Sequence, residues 1–281
     1  MIHFVITHCR KFACASFVVL ITLAFLTVMT AEDSRAPAGY IGFDRNQYPG
    51  DAALPALRKT FRFTGYWLNN PPGENSNTWK GKRAVLRSHG FGFLVLFNGR
   101  TYDQLKSPAD AAVLGTSDAD IAAKAAIAEG FPRRTVIFLD QEQGGRLLPE
   151  QCAYLHAWVD QVSHAGYRAG VYCSGTPFKE AAGEKVTTAE DIQRHAGRRK
   201  IVLWVANDSC PPSPGCDLHA PPLDKNGVAS GSVWQFAQSP RRVQFASGCT
   251  NYHRDGNCYA PGTAIFVDLD VAGSPDPSHG R

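Results

Sequence analysis

The segment Asp140-Gln141-Glu142 ends an apolar run, Thr135–Asp140 (TVIFLD). In extended backbone, residues i and i+2 point to one face, roughly 6.5–7 Å apart. Both carboxyls therefore project together, and like charges at that spacing, partly desolvated, raise the pKa of at least one of them. A carboxylic acid that stays protonated near neutral pH can protonate a glycosidic oxygen, while an ionised neighbour stabilises an oxocarbenium-like centre. Gly144 and Gly145 follow and leave room above the pair. An exposed acidic turn with an Asp helix cap is the competing reading, disfavoured by the apolar VIF just before it. Other chemistries fit less well. Ser174 lies in YCSG, not in a G-x-S-x-G elbow, and no His adjoins Asp44 as a metal-dependent phosphodiesterase barrel would want. Beyond residue 31 no C-x-x-C pair or H-x₃₋₅-H spacing marks a zinc site, so neither metal nor cofactor is expected.

Eight apolar runs can position such a pair. They are Gly39–Asp44, Phe61–Leu68, Gly92–Phe97, Thr135–Asp140, Arg168–Cys173, Ile201–Val205, Ser232–Ala237 and Ala264–Leu269. Several are continuously apolar, as parallel strands buried on both faces are. Helical patterns at Asn77–His89, Asp118–Glu129, Pro149–Ala165 and Thr188–Ala196 lie between them. Only a cysteine loop separates the seventh run from the eighth. The alternation predicts an α/β fold, a single-domain (β/α)₈ TIM-type barrel over residues 38–273 with a flexible tail at 274–281. An open doubly wound sheet is the alternative.

Active sites of such barrels lie at the carboxyl ends of the strands. Those ends carry Asp44, Asn69, Asn98, Asp140 with Glu142, Tyr172 with Ser174, Asn207 with Asp208, Gln235 and Asp268. Glu142, Asp140, Asp44 and Asp268 are the candidate catalytic carboxyls. Trp67, Asn98, Tyr172, Trp204, Trp234 and Gln235 are candidate substrate contacts, with the tryptophans placed to stack on a sugar ring.

The first residues have a different character. Arg10 and Lys11 precede the almost purely apolar Phe12–Met29. A basic flank before an apolar run is the pattern of an export signal, so residues 1–31 are expected to be a signal peptide or an uncleaved N-terminal anchor. The rest is expected to be secreted, periplasmic or at the cell surface, touching a membrane only through such an anchor. Beyond the leader, six cysteines remain, and an even count in an exported chain suggests disulfides, with 15 connectivities open. The short loops favour Cys210–Cys216 and Cys249–Cys258, which leaves Cys152 with Cys173. The formal charge of +4 and the scattered basic residues give no nucleic-acid footprint. The expected partner is a polysaccharide and the expected state a monomer.

The motifs together resemble family 25 glycoside hydrolases, the bacterial and phage-type lysozymes. The matching pieces are Gly42-Phe43-Asp44 with Tyr48-Pro49-Gly50, Ile137–Glu142, Gly170-Val171-Tyr172, Leu203–Ala206, Val233–Phe236 and Val267-Asp268-Leu269-Asp270. Their order and spacing agree across residues 39–272. The second and third runs, and Asp118–Glu129 with Gly130-Phe131-Pro132, resemble instead a related group of exported bacterial barrels, the glycoside-hydrolase-like domains. The resemblance implies a β/α barrel acting on peptidoglycan or a related cell-wall polysaccharide. Glu142 would be the proton donor, and Asp44, Asp140 and Asp268 would position sugar and balance charge. A non-catalytic glycan-binding barrel that keeps the pocket is the alternative function.

Overall fold

The computed structural model describes residues 39–281, so the expected leader lies outside the described residues. Eight strands close into one barrel: β1 (Tyr40–Asp44), β2 (Phe63–Trp67), β3 (Gly92–Asn98), β4 (Val136–Gln141), β5 (Arg168–Ser174), β6 (Val202–Ala206), β7 (Gly231–Ala237) and β8 (Asp268–Ala272). Helices α1 (Leu54–Thr60), α2 (Arg83–Ser88), α3 (Pro108–Ala128), α4 (Pro149–His164) and α5 (Thr188–His195) follow β1 to β5 in turn. The protein is thus a single α/β barrel of the TIM type. No helix among the described residues is long and apolar enough to cross a membrane.

Capping chemistry sets the helix ends. Ser107 Oγ accepts from the Asp110 amide at 3.3 Å and Pro108 opens α3, while Thr187 and Glu190 form a capping box at α5. Gly166, at φ +84°, lets the chain leave α4 and turn into β5. Aromatic layers fill the space between barrel and helices: Phe43 on Phe61 and Phe91, and Tyr66 on Phe93, Phe131 and Trp79.

The eighth strand departs from the expected all-parallel barrel. β8 is antiparallel to both neighbours, with Asp44 opposite Asp268 and Gly42 opposite Asp270. The physical reason is the connection. The chain leaves β7 at the barrel mouth and re-enters from the same side, whereas the segment after β6, which also holds no α-helix, returns to the base and leaves β7 parallel to β6. It is therefore the amino end of β8 that stands at the mouth.

Two other expectations are corrected. The tail at 274–281 is ordered. Ser278 is fully buried, donating its amide to Phe93 O and accepting at Oγ from the Val95 amide, each at 2.9 Å. Its carbonyl accepts from the Val136 amide at 2.8 Å, and Arg83 Nη2 donates to Gly280 O at 2.7 Å. The tail thus wedges between the starts of β3 and β4, supplying backbone partners they do not give each other there. The cysteines pair crosswise, Cys210–Cys249 and Cys216–Cys258, whereas Cys152 and Cys173 are free. The segments after β6 and after β7 flank one strand and emerge side by side at the mouth, so bonds form between loops and not within them. Cys173 is buried inside β5 and Cys152 is half-buried on α4.

Candidate active site

β4 is buried along its whole length up to Gln141. Alternation along it turns Asp140 inward, and Glu142, one residue past the strand, rises on the same side to the solvent-exposed rim. Both line a cavity of about 160 Å³ at the barrel mouth. Asp44, Trp67, Tyr172, Trp204, Gln235 and Asp268 line it too, together with Asn46, Pro72, Leu96 and Gln238, which sequence reasoning did not single out. Space beside Asp44 comes from Gly65 on β2, where any Cβ would sit 2.8 Å from the Asp44 Cβ.

A hydrogen-bond chain crosses the floor. The Tyr172 hydroxyl donates to Gln235 Oε1 at 2.7 Å, and Gln235 Nε2 donates to Asp44 Oδ2 at 2.9 Å. Asp268 Oδ1 accepts from the Ser239 amide at 2.6 Å. Beneath them lies Asp270, fully buried, whose Oδ1 accepts from Trp204 Nε1 at 3.0 Å. Its Oδ2 finds no donor among the described residues, and Asp270 contacts Asp44. Two carboxyls in contact need a shared proton, and the buried Asp270 is the one that keeps it. Sequence reasoning missed Asp270 because an eighth strand entering from the mouth places the acid two residues after Asp268 deeper, under Asp44.

The carboxyls titrate differently. Burial lifts Asp44 to about 6, opposed by its hydrogen bonds from Gln235 and Asp270. Asp140 is raised well above the carboxylate range, first by burial and then by the nearby charges of Glu142 and Asp44. Asp268 and Asp270 are raised well above it as well, by burial and the charge of Asp44. Glu142 is raised by desolvation. In the Asp140–Glu142 pair the deeper group therefore holds its proton longer, and the repulsion falls on Asp140. Asp140 lines the cavity, while its Oδ1 is buried and has no partner among the described residues, as suits a carboxyl that burial keeps protonated.

Of the proposed substrate contacts, four reach the cavity and two do not. Trp204 and Tyr172 pack edge to face with centroids 4.9 Å apart and form its wall with Trp67 and Gln235. All three aromatic residues are framework as well as lining: Trp204 is fully buried and Trp67 donates Nε1 to Arg45 O at 3.2 Å. Trp234 is a correction. It lies on the opposite face of β7 from Gln235, fully buried against Phe236, and donates Nε1 to Asn207 O at 2.9 Å. Asn98 is another. Its side chain donates to Asn70 O and its amide to Asn69 Oδ1, tying the ends of β2 and β3 together outside the cavity.

No curated protein matches this sequence. Among solved structures the chain is similar to an uncharacterized B. stearothermophilus protein, with 23% identity and a TM-score of 0.54 over 83% of this chain and 96% of that one. It is similar to the Mycobacterium tuberculosis Tat-secreted protein Rv2525c in complex with L-tartrate (14% identity, TM-score 0.52, 84% and 96% covered). It is similar also to the Clostridium perfringens spore cortex lytic enzyme SleM (15% identity, TM-score 0.50, 85% and 68% covered). Identities this low make these likenesses of fold, a glycoside-hydrolase-like one. The model of the Rv2525c-like, glycoside hydrolase-like domain matches residues 61–210, more than half of the sequence, and the chain belongs to that family.

Proposed function

We propose that the protein is an exported glycoside hydrolase acting on peptidoglycan or a related cell-wall polysaccharide. The observation that carries this reading is the convergence of five carboxyls, Asp44, Asp140, Glu142, Asp268 and Asp270, on one barrel mouth with unequal pKa values. Groups pushed apart in this way divide acid and base roles. Glu142 is the proton donor to the glycosidic oxygen, since it stands at the rim where a glycan strand can lie. Asp44 is the anion facing the developing positive charge, because it ionises near pH 6 while Asp270 and Asp140 remain neutral. Asp140, which lines the cavity with its carboxyl raised by burial, faces a sugar hydroxyl or acetamido group. Trp67 and Tyr172 wall the ring. Export is supported by the basic-apolar leader and by two disulfides, which persist in oxidising compartments. Spore cortex lytic action by SleM, a fold relative, points the same way for the substrate class.

One observation favours a second reading, glycan binding without turnover: most of the acids are buried and neutral, so few charges are left to stabilise a cation. Purified peptidoglycan and the Glu142→Gln variant separate the two. The hydrolase reading expects soluble, reducing-end fragments from the wild type and a loss on the order of 10²–10⁴-fold in the variant, which still sediments with the polymer. A wild type that sediments with peptidoglycan and releases nothing establishes the binding barrel. A wild type that neither binds nor cleaves it excludes both.

A further inference from the structure

Beside the acid cavity lies a second one of about 320 Å³, lined by Arg45, Asn46, Gln47, Glu74, Ser239, Phe266, Val267 and Asp268. Asn46 and Asp268 line both, so the two cavities are consecutive stretches of one groove. Arg45 follows the catalytic candidate Asp44 directly and is half-buried. Its Nε is buried with no partner among the described residues, and its side chain makes no hydrogen bond or ion pair among them. A guanidinium carries five donors in a fixed fork; leaving Nε dry and unpaired is costly, while the Nη groups are not among the buried atoms. Asp268 is the nearby acid, but its Oδ1 is already engaged by the Ser239 amide. Glu74, the other carboxyl of the wall, accepts from Gln47 Nε2 at 3.2 Å. Arg45 also lies 5.3 Å from the centroid of the Phe266 ring, which is 39% exposed. The guanidinium lies over one face of the partly exposed Phe266 ring, so a cation and an aromatic surface meet in a sugar-sized groove.

Resting on the glycan reading above, we infer that this second cavity is a subsite for a sugar ring bearing a carboxylate, with Arg45 gripping the carboxylate and Phe266 taking the ring face. The fork of Arg matches a carboxylate in bidentate fashion, which neither a neutral hydroxymethyl nor an acetamido group can replace. Burial raises the Asp268 carboxyl well above its ordinary value, against the pull of Arg45, and so weakens its repulsion of such a ligand. The groove therefore selects acidic glycans at the ring adjoining the acid cavity. A lactyl ether and a uronic acid both present this chemistry.

The test is calorimetric binding, which does not depend on turnover. The ligands are a stem-peptide-free glycan strand with free lactyl carboxylates, an oligouronate, and each of these with its carboxyls reduced to alcohols. The wild type is expected to favour at least one acidic ligand over its reduced counterpart by about tenfold, the scale of a charge-assisted contact. Raising the salt should narrow that ratio. In Arg45→Gln the ratio should fall to about one, and Arg45→Lys, a point charge without the fork, should lie between. Phe266→Ala should weaken acidic and reduced ligands alike. Equal affinity for acidic and reduced ligands in the wild type overturns the subsite and leaves the hydrolase reading intact. So does a ratio that survives in Arg45→Gln, or a loss of fold in that variant with the ratio preserved in Arg45→Lys. A wild type that binds none of the four ligands and releases nothing from peptidoglycan overturns both.

Discussion

At the scale of single residues, Asp44 links stability and activity through one proton. Its carboxyl is buried, and its pKa stands near 6 in the folded chain against 3.8 when exposed. A raised carboxyl pKa means that the folded state binds the proton more tightly than the unfolded state. The stabilisation is then complete below pH 3.8, declines as pH rises, and is gone above about 6. The shift corresponds to about 3 kcal/mol. Asp44→Asn keeps an oxygen to accept from Gln235 but no longer titrates. Melting curves between pH 3.5 and 7 (roughly bracketing that window) should show the wild type losing its advantage over the variant as pH rises. Turnover should run the opposite way, with an acid limb near pH 6 as Asp44 ionises. A wild-type advantage that grew with pH would refute the assignment. Asp44 and Asp140 were legible because each closes an apolar run, and Glu142 because it stands two residues on; Asp268, expected at a carboxyl-terminal strand end, reaches the mouth from the amino end of β8. Trp234 and Asn98 were not legible. Which face of a strand a residue takes depends on the register, and a tryptophan beside a polar strand end serves the outer core as well as it serves a mouth.

Between elements, α3 and α4 pack in close contact. The Cβ of any residue at Gly115 would lie 2.3 Å from Tyr154 O of α4, so the helices touch backbone to side-chain root. Arg100 joins Asp118 of α3 in a two-point ion pair at 2.7 and 2.8 Å, and Tyr154 of α4 donates to the same carboxylate at 2.9 Å. Exposed helical Gly→Ala changes ordinarily stabilise by roughly 1 kcal/mol. Here the sign should reverse. Gly115→Ala should destabilise, and Gly115→Val should cost about 1–3 kcal/mol more, each kcal/mol lowering the melting midpoint by about 2–4 °C. A thermal scan in which Gly115→Ala melts higher than the wild type would show that the helices part freely. This same glycine explains why the sequence reading started α3 at Asp118 and not at Pro108: Gly115-Thr116-Ser117 looks like a break until the partner helix is known. Likewise the expected helix Asn77–His89 shrinks to Arg83–Ser88, since Gly81 adopts φ +77° and interrupts it. The eighth strand starts at Asp268 and not Ala264 because Phe266 pairs with Tyr259 in the returning loop. Strand existence was readable from apolar runs, but strand direction was not, since the helix-free segments before β7 and before β8 lead to opposite directions.

For the whole molecule, the barrel is closed differently at its two ends. The base is sealed by the tail at β3 and β4, through backbone hydrogen bonds that no composition rule reveals in GSPDPSHGR. The mouth on the β6–β8 side is held by two disulfides between long, helix-free segments. The bonds span 39 and 42 residues. Connectivity was beyond the sequence because chain proximity favours short loops, whereas the fold aligns two neighbouring loops and lets them bond across. In the chain-entropy account a ring of that size contributes about 4 kcal/mol, and the second, overlapping ring adds less. None of the bonded cysteines lies before β6, so the half of the barrel that carries Asp44, Asp140 and Glu142 is not cross-linked. Mild reduction should therefore lower the melting midpoint while helix content at 25 °C is kept. Glycan binding should fall, because Ser239 and Gln238 sit on the segment that both of these bonds tether. Non-reducing peptide mapping should recover Cys210 with Cys249 and Cys216 with Cys258. Cys152 should alkylate in the native protein before Cys173, whose thiol burial pushes up to about 12. Recovery of a Cys152–Cys173 peptide, or of either short-loop pair, would contradict this closure of the mouth.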